Sequence, residues 1–474
     1  MAQRPWFQLR PSELQREQTR ILRQWLVREV KPFSPFWADK LKGVSETLTS
    51  PSGLDVAGRF SEAELAGAGG PGNPALLLSP TEDGFKKHAT RAELLAAARQ
   101  AGGGGAAGRR NAIWYRYKPV HVHEVGVDRV IAIAYTRADL DRLHLAGARL
   151  AEVMGWGAQD ALVNLVPAGP SIRFWGLYHA ALASRMTALH PRGNGQPLLD
   201  SARRGLAMAP ASILTVPVEE AEELVQGLAS SGTRLANLRM LVPVGPPPSA
   251  AVRIRLAQAA QRVAERPVRV QAIWSPETSR VLYGEAPPAA GDPPEATYGL
   301  LTYPDLELVQ VCDPDFGTTR GNAVPGEVVI TSIGWRGTAL VRAATGAWVA
   351  GIEAQTPHPV TGATVPRIAP VLVQAAWQPQ VRTAKGTIRV DLRRIRRVIE
   401  PAVLRLGGRH WSARVIDARF VLALDLPDSS PRAELDQLVN KVAAAAGVVP
   451  DLRIDTALAQ ARPQIGLAGP PVGA

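Results

Sequence analysis

A run of β-branched residues occupies residues 326–332, directly after a Pro-Gly turn signal. Proline has no backbone N–H to donate to a strand ladder, and β-branched side chains fit a pleated surface, so a strand is predicted to begin there. A second apolar run, residues 339–341, carries Arg342 and ends at Thr345-Gly346. The pattern predicts two strands joined by a loop that delivers polar groups.

Upstream of these strands, short apolar runs alternate with segments of helical periodicity. Strands are predicted at residues 161–166, 213–216, 268–273 and 306–314, paired strands within 113–136, and helices at residues 12–30, 140–154, 173–189, 218–228 and 251–264. Alternation of strand and helix is typical of a parallel sheet covered by helices. The predicted fold class is therefore α/β, with mixed and parallel sheets flanked by helices.

The composition shifts at about Arg367, and the order of elements changes with it. A helix is predicted at residues 391–400, two antiparallel strands within 411–426, a helix at 431–446 and a strand at 452–458. This order predicts a small α+β C-terminal domain. We predict a helical and loop segment over residues 1–110, a core over 111–370 and the small domain over 371–474.

Composition and charge narrow the range of functions. The 474 residues are 46% hydrophobic and 20% charged, which is ordinary for a globular protein. The net charge of +12 permits contact with anionic surfaces, but charge alone does not predict a nucleic-acid function. One cysteine excludes an internal disulfide framework. No run reaches the roughly 18 apolar residues that span a bilayer, so we expect a cytoplasmic protein without a membrane anchor.

A family resemblance lies in the two-strand region. The phrase GEVVITSIGWRGTALVRAATGA, residues 326–347, resembles G-E-L-V-x-T-(S/T)-L…P-L-(I/V)-R-Y-x-T-G-D of the adenylate-forming ligases, most closely their phenylacetate-CoA ligase branch. The resemblance implies a large adenylation-type N-terminal domain and a small C-terminal domain. In the family the closing Asp holds the ribose hydroxyls of ATP, whereas this chain has Ala347 at that position.

The family phrase Y-G-(L/T)-(S/T)-E also has a counterpart. There the aromatic residue covers adenine, the glycine leaves room for the base and the glutamate helps to hold Mg²⁺. Here Ile273 replaces the aromatic residue and Trp274 the glycine, while Glu277 is retained. A tryptophan at the glycine position is expected to fill the adenine slot. The residues that the resemblance leaves as nucleotide or metal candidates are Glu277, Arg342, Thr345 and Gly346.

Two further family features differ. The phosphate loop S-S-G-T-T-G-K-P corresponds to residues 121–129, which contain one glycine, no hydroxyl cluster and no lysine. The family's catalytic lysine lies in a G-K-x-x-R loop near the end, whereas the last lysine here, Lys441, lies in a predicted helix. The glycine run at residues 102–105 is interpreted as a surface loop instead of a phosphate cradle. His121 and His123 would share a strand face, as a structural pair or, less simply, as two metal ligands.

Two functions remain open. The first is a degenerate ligase relative, non-catalytic or weakly active, that binds a protein partner or a small carboxylic acid, with no cofactor assigned to it. Losing one positioned donor typically costs about 10²–10³-fold in rate, and several elements are altered together. The alternative is an active carboxylate-CoA ligase that uses ATP, Mg²⁺ and CoA, with Glu277 for Mg²⁺ and Arg129, Arg342 or Lys385 for phosphates. Nucleic-acid binding would need a basic stripe with exposed aromatic residues.

Overall fold

A computed structural model gives the fold of most of the chain. It describes residues 6–70, 72–125, 130–169, 171–191, 198–276, 278–289, 291–293, 296–313, 317–321, 324–353, 357–358, 361–369, 371–374, 380–383, 386–390, 395, 398–399, 402–403, 405–407, 410–416, 419–427 and 429–454. Within these ranges no helix is long and apolar enough to cross a membrane.

The helices begin and end largely where the sequence supplies caps. They are α1 Pro11–Trp25, α2 Lys31–Phe33, α3 Pro35–Lys40, α4 Glu62–Gly69, α5 Glu82–His88, α6 Arg91–Ala101, α7 Gly105–Tyr117, α8 Arg137–Met154, α9 Ile172–Ser184, α10 Leu198–Met208, α11 Ala221–Ser230, α12 Ala250–Val263 and α13 Arg432–Ala446. Short 3₁₀ turns cover Trp6–Gln8 and Pro51–Ala57, and the turn after α1, Leu26–Val30, is π-helical. In α8, Thr136 and the third helical residue, Asp139, form a capping box, and Gly155 closes the helix with φ +63.

The strands form one large parallel sheet and several antiparallel ones. They are β1 His121–Val125, β2 Ile131–Tyr135, β3 Ala161–Asn164, β4 Thr187–Leu189, β5 Ile213–Pro217, β6 Met240–Val244, β7 Arg269–Val270, β8 Ile273–Trp274, β9 Tyr283–Gly284, β10 Leu300–Leu301, β11 Glu307–Cys312, β12 Gly326–Ser332, β13 Ala343–Val349, β14 Ile352–Glu353, β15 Arg367–Ile368, β16 Val371–Gln374, β17 Gln380–Thr383, β18 Gly386–Arg389, β19 His410–Ile416, β20 Arg419–Asp425 and β21 Asp451–Ile454. The large sheet has the order β4-β3-β5-β6-β8-β9, with β7 beside β6.

The parallel sheet confirms the predicted α/β class. Strands β3, β4, β5, β6 and β8 run parallel, and β9 closes the edge antiparallel to β8. Every residue of β5 and β6 is buried, as expected for strands covered by helices on both faces. Antiparallel sheets of order β11-β12-β13-β16 and β10-β15-β14 follow in the chain. The C-terminal part holds β19-β20-β21, with α13 between its last two strands.

The two-strand prediction is confirmed for the first strand and shifted for the second. Strand β12 begins at Gly326 and ends at Ser332, as predicted. The second strand, β13, begins only at Ala343 because Arg342 has a left-handed φ of +47 and breaks the extended backbone. The apolar residues 339–341 instead belong to the connecting loop, where they are buried.

That connecting loop is fastened to the start of α8 by one carboxylate. Asp139 is fully buried, and its oxygens accept hydrogen bonds from the backbone N–H groups of Thr136 at 2.8 Å, Arg336 at 2.8 Å and Gly337 at 2.7 Å. The hydroxyl of Thr338 then donates to Ala132 of β2 at 3.0 Å. The loop between β12 and β13 is thereby joined to both β2 and α8.

Two sequence predictions are wrong in part. Residues 113–117, expected in a strand, lie in α7, because Ile113 and Tyr117 are four residues apart and bury one helical face. The glycine run at 102–105 is an exposed helix-to-helix turn, which agrees with its interpretation as a surface loop, and α7 begins at its last residue. The helix expected over residues 173–189 ends at Ser184, where Arg185 adopts φ +59 and a strand follows.

Buried apolar residues form separate clusters. A large cluster joins the N-terminal helices, β8 and the β11-β12-β13 sheet, and a second one lies around β5, β6, α11 and α12. A third cluster gathers β19, β20 and α13 and includes Trp348 of β13. The domain bounds at residues 110 and 370 stay a prediction.

Gly337 provides a test of the loop junction. A Cβ added there would meet the carbonyl oxygen of Ala134 and the backbone of Tyr135. Because backbone atoms cannot move aside, we expect Gly337→Ala to lower the free energy of unfolding by about 1–3 kcal/mol or more in urea denaturation. Gly67, exposed inside α4 with open space at its Cβ, is the matched control. Gly67→Ala should raise stability by up to about 1 kcal/mol; equal effects would contradict the close packing of Gly337.

Candidate functional site

The parallel sheet has a topological switch point beside β3. From β3 the chain passes to β4 on one side and to β5 on the other. Open α/β sheets bind ligands in the crevice outside the carboxyl ends of the strands at such a point. The polar and aromatic residues that follow β3, β4 and β5 therefore form the candidate site, which we call the histidine–aromatic site.

A buried amide holds one histidine of this site. Asn164, at the end of β3, is 1% exposed, and its carbonyl oxygen accepts from the Thr215 hydroxyl at 2.8 Å and from the Val166 backbone at 3.1 Å. Its amide nitrogen lies 3.1 Å from Nδ1 of His190. Because an amide nitrogen only donates, His190 accepts at Nδ1 and carries its proton at Nε2. Burial lowers the pKa of His190, which favours this neutral form.

A second pair of histidines lies on β1. His121 and His123 share a strand face as predicted, and their Nε2 atoms are 2.6 Å apart. Burial lowers the pKa of His121, and burial followed by the nearby His121, Arg280 and His179 lowers the pKa of His123 to about 3. Both rings are therefore neutral near pH 7, so one donates and the other accepts. Within the described ranges no group of three His, Cys, Asp or Glu side chains could hold a metal ion.

Aromatic rings from the first turns of α9 join the two histidine groups. Trp175 lies 4.9 Å from His121 and stacks at 22° on His123, with centroids 6.2 Å apart. Phe174 contacts Trp175 at 5.4 Å and His190 at 5.0 Å. The result is a set of neutral imidazoles between partly exposed rings. Such a surface can cover a planar or apolar group and donate hydrogen bonds to its polar end, but it carries no fixed charge.

Sequence reasoning did not single out Phe174, Trp175 or His190. The prediction of one helix over residues 173–189 gives the aromatic residues at its start no separate role. A signal was available, because several aromatic residues follow a buried strand within a few positions, where α/β sheets bind ligands.

The positions that the sequence resemblance matches to the family's adenine contacts are buried in the core. Ile273 is fully buried and Trp274 is 3% exposed at the carboxyl end of β8. Trp274 pairs with Tyr283 of β9, with ring centroids 6.4 Å apart. Glu277 lies outside the described residues. The expectation that Trp274 fills the adenine slot therefore stays a proposal, supported by its burial.

The Thr345-Gly346-Ala347 segment uses its polar groups within the sheet. The Thr345 hydroxyl donates to the Val328 carbonyl at 2.8 Å, and the backbone N–H of Gly346, at φ +68, donates to Glu327 at 3.1 Å. Ala347 is 2% exposed and pairs with β16. Burial raises the pKa of Glu327, and Arg59 opposes that shift. The hydrogen bonds of Thr345 and Gly346 are therefore made within the turn and its neighbouring strand.

Arg342 is enclosed by acceptors from distant parts of the chain. Its side chain is fully buried, and Nη1 donates to Asp55 at 2.6 Å and to Gln310 at 3.1 Å. Its remaining nitrogens donate to the carbonyl oxygens of Gly58 and Gly317 and to the sulfur of Cys312. A structural role accounts for these bonds better than the suggested phosphate contact. Arg129 and Lys385, the other phosphate candidates, lie outside the described residues.

The burial of His123 generates a pH prediction. The pKa of His123 is lower in the folded state than the ordinary 6.5, so the unfolded chain takes up the proton first and stability is lost as pH falls below about 6.5. We expect the free energy of unfolding between pH 6.5 and 5 to fall by up to about 1.4 kcal/mol per pH unit more in the wild type than in His123→Phe. Urea titrations at each pH measure this slope. Equal slopes for wild type and His123→Phe would refute the buried neutral ring.

Comparison with known proteins adds the fold family. The sequence matches no protein-family model and no curated protein. 2-Hydroxyisobutyryl-CoA ligase in the postadenylation state, in complex with R3-HIB-AMP, is similar with a TM-score of 0.71 and 16% identity over 95% of this chain and 87% of that chain. An open conformation of that ligase, in complex with 2-HIB-AMP and CoA, gives 0.65 and 16% over 99% and 93%.

A second ligase extends the likeness beyond one enzyme. The anthranilate CoA ligase AuaEII, in complex with anthranoyl-AMP, has a TM-score of 0.52 and 13% identity over 74% of this chain and 66% of that chain. The expected large α/β architecture is therefore confirmed. The chain has the fold of the adenylate-forming acyl-CoA ligases.

Proposed function

We propose that this protein is a ligase-fold protein that does not form adenylates efficiently and instead binds a small carboxylic acid or a protein partner. The observation that carries the proposal is the burial of Trp274, 3% exposed, where the resembling ligases leave room for adenine. Ala347, 2% exposed, adds to it, because a methyl group cannot hold ribose hydroxyls. At these two positions, the residues that contact a nucleotide in the family are replaced by Trp274 and Ala347, whose side chains are buried in the protein.

The remaining family groups do not offset these losses. Thr345 and Gly346 bond within the β12-β13 pair, and Arg342 has acceptors for each guanidinium nitrogen. A cation stabilises developing phosphate charge only when it is aimed at the site of reaction. Arg342 is aimed at Asp55 and at backbone carbonyls instead.

The histidine–aromatic site is the proposed acid-binding site. A neutral imidazole N–H, such as that at Nε2 of His190, donates a hydrogen bond to a carboxylate, while Phe174 and Trp175 cover the apolar part of the acid. The neighbouring ligases were solved with the adenylates R3-HIB-AMP and anthranoyl-AMP, whose acyl groups are small. By analogy, a small and partly aromatic acid suits this chain.

The alternative is an active ATP-dependent carboxylate-CoA ligase. It is favoured by the alignment with the CoA-bound open ligase, which extends over 99% of this chain and so includes the C-terminal part. Under this alternative Glu277 binds Mg²⁺, and Arg129 or Lys385 contacts phosphate.

Nucleotide binding separates the two functions. We expect no heat of binding when Mg²⁺·ATP is titrated into the full chain by calorimetry, and no pyrophosphate exchange over a panel of aryl and short aliphatic acids. We expect both negative results because Trp274 closes the adenine position and the two loop lysines of the family have no counterpart in this sequence. An acid from the panel should still raise the melting temperature, because a ligand that binds only the folded state stabilises it. Saturable ATP binding together with exchange would establish the alternative instead.

A cavity variant tests whether Trp274 occupies the adenine slot. Removing a buried tryptophan side chain costs about 3–5 kcal/mol, so Trp274→Gly should be less stable by that order. If the ring fills an adenine-shaped space, added adenosine should recover part of the melting temperature, as apolar cavities take up ring-shaped guests. Trp156→Gly, at a core position that is 7% exposed, is the control and should show a loss without recovery. If adenosine raises the melting temperature of neither variant, the interpretation that Trp274 fills the adenine slot is wrong.

A further inference from the structure

A cleft of about 1220 Å³ lies between α1 and the loop that connects β12 to β13. None of the residues of the histidine–aromatic site lines it. Seven arginines and five acidic residues do, so cations are in excess. Which of these charges already have partners decides what the cleft can bind.

One face of the N-terminal helix presents a row of donors to the cleft. Arg16, Arg20, Gln24 and Arg28 follow one another at intervals of four residues, and all four line it. In an α-helix a four-residue step overshoots a full turn by about 40°, so a long row drifts around the axis. The wider π-helical turn at Leu26–Val30 takes an additional residue, which opposes the drift and returns Arg28 to the cleft.

Two of these arginines are free to bind a ligand. The carboxylates on the same helix face are engaged, since Glu13 lies 3.4 Å from Arg10 and Glu17 lies 2.8 Å from Arg20. Arg16 and Arg28 are exposed, and neither has an ion-pair partner within the described ranges. They stand at the two ends of the donor row, twelve positions or about 18 Å apart along the helix.

The charged side chains in the floor of the cleft, Glu29, Glu93, Arg116, Arg142 and Arg336, already have hydrogen-bond partners within the protein. Arg336 donates to Glu29 at 3.2 Å and to Glu93 at 3.0 Å, and Arg116 donates to Glu93 at 2.5 Å. Arg142 instead donates to the backbone carbonyl oxygens of Asp305 and Ile333. The carboxylates of the floor are therefore already paired with arginines, and Arg142 is hydrogen-bonded to uncharged carbonyl oxygens.

We propose that this cleft binds an extended acidic segment of a partner protein. At about 3.3 Å per residue, some five or six residues span the distance between Arg16 and Arg28, whereas a small polycarboxylate reaches only neighbouring arginines. Arginine forks match carboxylates in geometry, and the floor carboxylates accept backbone N–H groups of a peptide.

A single-stranded nucleic acid fits the cleft less well. Trp25, Phe33 and Tyr117 line it and are 3%, 2% and 6% exposed, so these rings offer no face on which a base can stack, and Trp6 is only partly exposed. The proposal is independent of acid binding at the histidine–aromatic site.

Fluorescence anisotropy with a fluorescein-labelled hexaglutamate peptide tests the proposal on the full chain. We expect saturable binding that weakens as ionic strength rises and that a hexaglutamine peptide does not reproduce. The double variant Arg16→Gln/Arg28→Gln should bind roughly tenfold more weakly, because both ends of the donor row are lost. Arg99→Gln/Arg203→Gln, which removes two exposed charges from α6 and α10, should bind as the wild type does.

The remaining outcomes overturn the proposal. Equal weakening in both double variants would mean attraction by net charge alone, and absence of binding at low ionic strength would mean no site. Tighter binding of hexathymidylate than of hexaglutamate would indicate a nucleic-acid site. Displacement of the peptide by citrate or phosphate at comparable concentration would indicate a site for a small anion. Circular dichroism on both variants shows that they are folded, which is expected for exposed positions.

Discussion

The buried carboxylate of Asp139 is the interaction on which the arrangement of this molecule depends. It completes the capping box of α8 and also accepts the backbone N–H groups of Arg336 and Gly337. A buried charge is tolerated only when its hydrogen bonds are satisfied, and here the helix N-terminus and the loop satisfy it together. The hydrogen bonds of Asp139 therefore connect the part of the chain that forms the parallel sheet to the β11-β12-β13 sheet.

These hydrogen bonds of Asp139 fix the positions of the residues that follow in the loop between β12 and β13. On one side, Arg336 is held where its guanidinium reaches Glu29 and Glu93 in the floor of the cleft. On the other side, Thr338 bonds to β2, and Arg280 donates to the carbonyl of Thr338 while lying over the rings of Tyr135 and Trp335. A ligand in the cleft thus contacts elements that are continuous with the histidine–aromatic site through packed side chains and hydrogen bonds.

Local patterns predicted most of the fold because the relevant forces act over a few residues. Strand β12 and the buried strands β3 and β5 follow from turn residues and from apolar, β-branched runs. The failures have nonlocal causes. The acceptors of Arg342 come from residues 55, 58, 310 and 317, and no spacing rule brings them together. The ring cluster around Trp175 likewise depends on α9 meeting β1, which periodicity does not reveal.

The π-helical turn at Leu26–Val30 has a consequence for insertions and deletions in this part of the chain. Such a turn accommodates one residue more than an α-helical turn, so removing a residue within it would restore regular winding and keep both flanking segments in register, whereas removing one from α1 just after Leu22 would rotate everything upstream by about 100° relative to α2. The apolar stripe of Leu14 and Leu22 would then leave the core while the arginines turned inward. The length of this segment is thus constrained by geometry even where individual exposed side chains are replaceable.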